Sequence, residues 1–141
     1  MKFGLIGCGN IGADLCIALG KDTIPAELCA LTDIEPERAK VLVRSFQLES
    51  TICDLDENAS KSDFLVECAA ADAVPDVIEA AIRHHVDCLI MSVGGLMNHP
   101  ELYERGRESG IQIRVPSGAL CGLDGIRSAM RSEEHTSELQ S

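Results

Sequence analysis

The sequence predicts an α/β fold, a doubly wound parallel sheet of six strands with helices on both faces. Three observations predict it. Short apolar runs alternate with stretches whose apolar residues recur at helical spacing, a rhythm that implies parallel strands joined by crossover helices. Several of those runs are apolar on both faces, as buried parallel strands must be. A glycine-rich turn, Gly7-Cys8-Gly9-Asn10-Ile11-Gly12, stands directly between the first apolar run and the first helical pattern. With right-handed crossovers, such a chain takes 3-2-1-4-5-6 as its default strand order.

The elements follow in order. KFGLI (residues 2–6) is the first expected strand, and Ile11, Leu15, Ala18 and Leu19 recur at helical spacing after it. ELCALT (27–32) is the second. Ala39, Leu42, Val43 and Phe46 mark the helix that follows, with Pro36 in its first turn, where a missing N–H costs nothing. STIC (50–53) is the third strand, and the polar DLDENASK behind it is expected to be a loop with little helix. DFLVEC (63–68) is the fourth strand; Val74, Val77, Ile78, Ala81 and Ile82 then mark a helix for which Asp72 is the expected N-cap. VDCLIMS (86–92) is the fifth. A helix from about Pro100 to Ser109 follows, preceded by Asn98 or His99 and stopped by Gly110, before IQIRV (111–115) as the sixth strand.

Composition narrows the function. With 141 residues, 45% hydrophobic and 25% charged, the chain has the length and make-up of one globular domain. Its net charge of −11 argues against a nucleic-acid surface, which needs clustered Lys and Arg. MKFGLIGCGNIG is apolar only briefly before Asp14, unlike a signal peptide, and no run reaches membrane-spanning length. A cytoplasmic protein without a membrane partner is expected. The seven cysteines are scattered, with no C-x-x-C pair and no Cys/His spacing suited to zinc. Most fall inside apolar runs and read as small buried hydrophobes, and no metal site is expected. Cys8 and Cys121 differ in sitting in glycine-rich turns.

The glycine-rich turn is a G-x-G-x-x-G stretch in a strand–turn–helix context, which is where that pattern carries meaning. Gly7 permits the tight turn, Gly9 lets backbone approach a pyrophosphate, and Gly12 lets the helix pack closely on the strand. The helix start at Asn10 and Ile11 presents free N–H groups and a partial positive charge to phosphates. Asp33 lies 21 residues beyond Gly12, at the end of the second strand. A carboxylate there accepts hydrogen bonds from ribose hydroxyls and repels a 2′-phosphate, so NAD is expected over NADP. Capping of the following helix is the competing role for Asp33. Arg38 is close enough to soften the preference toward NADP, or is simply a solvated helix charge.

More particular wording stands at the later strand ends: VECAAADAVPD, DCLIMSVGGL and VPSGALCGLDGIRSA. Together with GLIGCGNIG these resemble the coenzyme domain of the L-aspartate dehydrogenase family, related to homoserine dehydrogenase in its nucleotide-binding half. The resemblance covers residues 2–130, and Ser117, Gly118, Ala119, Gly122, Leu123 and Asp124 carry its most specific stretch. It implies a Rossmann domain of an enzyme that oxidises L-aspartate to iminoaspartate, which hydrolyses to oxaloacetate, with hydride passing to NAD. It implies Gly9, Asn10, Ile11 and Asp33 on the pyrophosphate and adenosine side, and Ala69, Ala70, Ser92 and Ala119 along the rest of the cofactor path. It also implies a homodimer, a link to NAD biosynthesis through quinolinate synthase, and a catalytic histidine in a second domain beyond residue 130. Ser117 can act as a hydrogen-bonding group or a turn residue, and Asp124 as a helix cap or a substrate contact. His84, His85 and His99 stand at helix ends and read as surface residues.

The expected organisation is therefore an NAD-binding domain over 1–121 and the start of a linking helix over 122–130. The last eleven residues, RSEEHTSELQS (131–141), match residue for residue the translation of a common short-read sequencing adapter and read as a non-native tail on a fragment without turnover of its own. Two other functions remain open. One is a related dehydrogenase or reductase of another small amino acid or carboxylate; the other is a stand-alone NAD-binding or redox-sensing module.

Overall fold

The structure is a computed structural model that describes residues 1–21 and 25–116. Ser117, Ala119, Cys121 and Asp124, the expected linking helix and the 131–141 tail lie outside the described residues. The chain runs β1 (Lys2–Ile6), α1 (Asn10–Gly20), β2 (Glu27–Thr32), α2 (Pro36–Phe46), β3 (Thr51–Ile52), α3 (Leu55–Lys61), β4 (Phe64–Glu67), α4 (Val74–His84), β5 (Asp87–Ile90), α5 (Val93–Asn98), α6 (Pro100–Glu108) and β6 (Ile113–Arg114). The strands form one sheet in the order β3-β2-β1-β4-β5-β6, every pairing parallel. This is the expected doubly wound Rossmann topology.

Successive residues of a strand face opposite sides of a sheet, and the two cores show it. Phe3 and Leu5 of β1, Leu31 of β2 and Val66 of β4 pack with Cys16 of α1 and with Ala39 and Leu42 of α2. Ile6 and Leu65, their neighbours in sequence, join the opposite core with Val77, Ile78 and Ala81 of α4, Leu96 of α5 and Leu102 of α6. Leu5, Leu31, Leu65, Ile78 and Ile90 are fully buried. Each such side chain removed from water stabilises the fold by about 1.5–3 kcal/mol.

The first two strands have the expected bounds, whereas the later expected strands are longer than the paired ones because apolar sequence continues past the ladder. Val86 and Ile111 are buried, yet their amides bond to the ends of the preceding helices, at Ala81 O (3.0 Å) and Gly106 O (3.2 Å). Gly110, with φ of +91°, makes the stop expected after α6.

Two local expectations are corrected. DLDENASK is not a loop: Asp54 caps α3, its side chain accepting the Glu57 N–H at 2.8 Å, and Lys61 pairs with Glu57 one turn on at 3.2 Å. The buried face of this helix is made by Asn58 and Ala59, so no large apolar residues announced it. Asn58 Nδ2 donates to Leu5 O at 3.2 Å and to Thr32 Oγ1 at 2.9 Å, and its side chain fills the space over Gly4. Asp72 does not cap α4; it lies in a 3-10 turn (Ala71–Ala73) that runs straight into the helix, whose N-cap is Ala73. Pro75 at the start of α4 has no N–H needing a cap. The glycine-rich stretch after β5, to which the sequence assigns no element, forms α5, whose Gly95 is packed against Val74 and the Ala71 carbonyl.

Candidate functional site

All six strands point the same way, so their exits share one edge of the sheet, and the residues singled out in the sequence gather there. β1 ends at Ile6 and turns through Gly7, whose φ of +95° disfavours any side chain. The Gly7 amide donates to Thr32 O at 2.8 Å, and the Cys68 amide donates to Ile6 O at 2.7 Å. A Cβ on Gly7 would stand 2.5 Å from the Ala69 nitrogen. The turn is thereby locked between the ends of β2 and β4.

Gly9 and Gly12 have different surroundings. Gly9 is the N-cap of α1, and a Cβ there would meet nothing within 4 Å. One on Gly12 would stand 2.7 Å from Gly7 O, so Gly12 sets the close approach of helix to turn. Ala13 is the first residue whose amide bonds back to Gly9 O, at 3.0 Å, which leaves the N–H groups of Asn10, Ile11 and Gly12 without a helical partner. No side chain caps this end and its first turn holds no acid. Donors without a helical partner at the positive end of an 11-residue helix suit an anion.

Asp33 leaves β2 beside this turn. Its Oδ2 accepts the Cys8 N–H at 2.8 Å and its Oδ1 accepts the Glu35 N–H at 2.8 Å. It therefore shapes the entry to α2, but the N-cap of α2 is Glu35. Each carboxylate oxygen has further acceptor capacity. Arg38 is held by Glu35, Nε to Oε2 at 3.0 Å, in an exposed ion pair. An exposed pair of this kind is worth little, yet it gives the guanidinium an anionic partner already.

On the other side of β1, Ala69 and Ala70 are exposed beyond β4, and half-buried Ser92 is the N-cap of α5 beyond β5. Between them sits a residue the sequence reading passed over. Glu67, the last residue of β4, is fully buried, and its carboxylate accepts the Ala69 N–H (2.7 Å), the Ser92 N–H (2.9 Å) and the Ser92 hydroxyl (2.8 Å). The available signal was an acid closing an otherwise apolar strand, FLVE.

Burial holds the thiols at this edge in their neutral form. Cys8 is pushed up to about 12 by burial and then by the Asp33 carboxylate; Cys68 is pushed up to about 12 by burial and then by Glu67. Neither is a nucleophile near neutral pH. His84 and His85 lie at the C-terminal end of α4, where the chain enters β5, at the opposite edge of the sheet. His84 Nε2 is 2.8 Å from Asp56 Oδ1, and His99 Nδ1 is 3.3 Å from Glu101 Oε1. Among the described residues no group of three or more His, Cys, Asp or Glu side chains could hold a metal ion. No helix among them is long and apolar enough to cross a membrane.

Comparison with known proteins adds three findings. Residues 7–116 match the family described as "Homoserine dehydrogenase, NAD binding domain". The chain is 34% identical over 135 residues to the L-aspartate dehydrogenase of Methanococcoides burtonii, spanning 92% of this chain and 49% of that protein. It is 37% identical over 134 residues to the L-aspartate dehydrogenase of Methanococcus maripaludis strain DSM 14266, spanning 91% and 49%. The chain thus covers about half the length of the curated relatives it matches. Among solved structures, it is similar to myo-inositol dehydrogenase from Lactobacillus casei in complex with NAD(H) and myo-inositol (TM-score 0.70, 23% identity, 82% of this chain and 36% of that one). An oxidoreductase from Agrobacterium radiobacter in complex with NAD+, L-tartaric acid and magnesium is similar to the same degree (TM-score 0.72, 23% identity, 82% and 34%). At these identities the structures speak to the fold.

Proposed function

The chain belongs to the family of homoserine dehydrogenase NAD-binding domains, and from that premise we propose that it binds NAD across the C-terminal edge of its sheet, as the coenzyme half of an L-aspartate dehydrogenase-like oxidoreductase. The residues present fit the cofactor. Open space at Gly9 admits a pyrophosphate close to backbone, and the free amides of Asn10, Ile11 and Gly12 would hold it. Asp33 would accept from the adenosine ribose hydroxyls. Gly7 would hold the turn, and Ala69, Ala70 and Ser92 would line the remaining path, with Ala119 beyond the described residues completing it. Bound NAD supplies the hydride acceptor.

The observation that carries this reading is the 2.8 Å bond from the Cys8 amide to Asp33 Oδ2. It fixes the ribose-binding carboxylate to the phosphate-binding turn, so the two halves of one recognition surface move together. The same carboxylate opposes a 2′-phosphate, while Arg38, already near the Glu35 carboxylate in an exposed pair, softens that preference. Asp33→Asn keeps the side chain's size, removes its charge and leaves one oxygen to accept where two now bond Cys8 N and Glu35 N. Hydrogen bonds to a charged group are worth about 1.5–3 kcal/mol, so NAD affinity should fall about tenfold or more while the NAD-to-NADP affinity ratio narrows. Titration of both nucleotides into the wild-type and variant chains checks this; an unchanged ratio contradicts the assignment.

The acid/base group that handles the substrate proton belongs, on this reading, to residues beyond 130. Residues 1–141 are then expected to bind NAD without forming NADH from L-aspartate. Appreciable aspartate-dependent NADH production by this chain would overturn that division of labour. A homodimer, and delivery of iminoaspartate to quinolinate synthase, belong to the same proposal for the whole enzyme.

A further inference from the structure

Among the described residues, Glu67 is the largest polar side chain in the core. It is fully buried, and among the described residues it is paired with no cation. Burying a carboxylate is expensive unless its oxygens are well satisfied, so a position that retains one needs a reason. Here the reason lies in what the two oxygens hold. Oε1 accepts from Ala69 N and Ser92 Oγ, and Oε2 accepts from Ser92 N. Ala69 belongs to the loop after β4 and Ser92 to the loop after β5, so one side chain ties two neighbouring strand exits together. The main chain adds a third tie, Met91 N–H to Glu67 O at 3.0 Å.

Topology says which part of a dinucleotide these loops would face. With the adenosine ribose at Asp33 beyond β2 and the pyrophosphate at the start of α1 beyond β1, the strand order carries the second nucleotide over the exits of β4 and β5. We propose that Glu67 is a positioning residue for that second half: a buried acidic clip that sets the β4 and β5 loops at the spacing the nicotinamide riboside requires. It acts through Ala69 and Ser92 and does not itself touch the cofactor. The inference rests on the NAD-binding reading above.

The test compares NAD with ADP-ribose, which carries the adenosine and pyrophosphate groups but no nicotinamide. Glu67→Gln keeps the shape but turns an NH2 group toward N–H and O–H donors, breaking the clip. In the 1–141 chain, NAD affinity should drop at least about tenfold and ADP-ribose affinity less than about twofold. Ser92→Ala should blunt the effect, because the two side chains act as one unit and their losses are not additive. If the Gln variant does not fold, Glu67→Asp serves instead: it keeps the charge but is one methylene too short to span both loops, and the same split is expected. Equal losses for NAD and ADP-ribose would make Glu67 merely structural, and no loss for either would make it irrelevant; both overturn the proposal while leaving NAD binding intact. A folded wild-type chain that binds neither ligand removes the NAD reading and this inference with it.

Discussion

A methyl group on Gly9 and one on Gly12 meet different surroundings, and the difference separates binding from stability. At Gly9 the backbone has φ of −87° and open space around the missing Cβ. Gly9→Ala should therefore change stability by less than about 1 kcal/mol, the usual scale of an N-cap change, while weakening NAD binding at least about tenfold by obstructing the pyrophosphate. At Gly12 the same methyl stands 2.7 Å from Gly7 O. Gly12→Ala should cost about 1–3 kcal/mol through overpacking and lower the urea midpoint. If both variants lose stability equally, Gly9 is a packing residue and the phosphate assignment is wrong. The turn itself was legible because a G-x-G-x-x-G stretch between strand and helix has a physical task at each glycine. Asp33 was legible as well, at its expected distance from the turn. Its bond to the Cys8 amide was not, since no spacing in the sequence reveals which backbone donor a carboxylate will meet after folding.

At the scale of elements, α3 shows where apolar periodicity runs out. Its docked face is an amide and a methyl, Asn58 and Ala59, against a sheet that makes room through Gly4. Asn58→Ala strips a buried donor from Leu5 O and Thr32 Oγ1 and opens a void, and should destabilise the chain by about 2–3 kcal/mol by chemical denaturation. A change within 0.5 kcal/mol would mean that α3 does not depend on this contact. The capping signal was present all along, in Asp54 followed three residues later by Glu57, but it outweighs composition only when the helix is known to have something to bury. α5 was hidden for a related reason. Its glycines lower helix propensity, and one of them, Gly95, serves close packing on Val74 and the Ala71 carbonyl. The strand cores were legible, as were the ends of β1 and β2, but the starts of β5 and β6 were not, because Val86 and Ile111 are buried outside the ladder.

Taken as a whole molecule, the chain stores several thiols in its interior. Cys8, Cys68 and Cys88 are each pushed up to about 12, chiefly by burial, from the ordinary thiol value of 9.0. Above pH 9 the unfolded chain releases these protons while the folded chain keeps them, so the unfolded state binds fewer protons and stability falls as pH rises. Under reducing conditions the urea midpoint should hold up to about pH 9 and then decline toward pH 12; a midpoint flat across that range would contradict the buried, neutral thiols. The strand order and the two-sided core followed from alternating apolar runs, whereas the ties between strand exits, above all Glu67 to Ser92, depend on which loops the sheet order makes neighbours. Those ties give the central claim its content: four loops far apart in sequence, after β1, β2, β4 and β5, meet at one edge that would take the nucleotide. The most direct test is calorimetric titration of NAD into the purified 1–141 chain, with its fold checked by circular dichroism. The account predicts saturable binding at one site per chain, displaced by ADP-ribose and weakened by Asp33→Asn. A folded chain that takes up no NAD at millimolar concentration would contradict it.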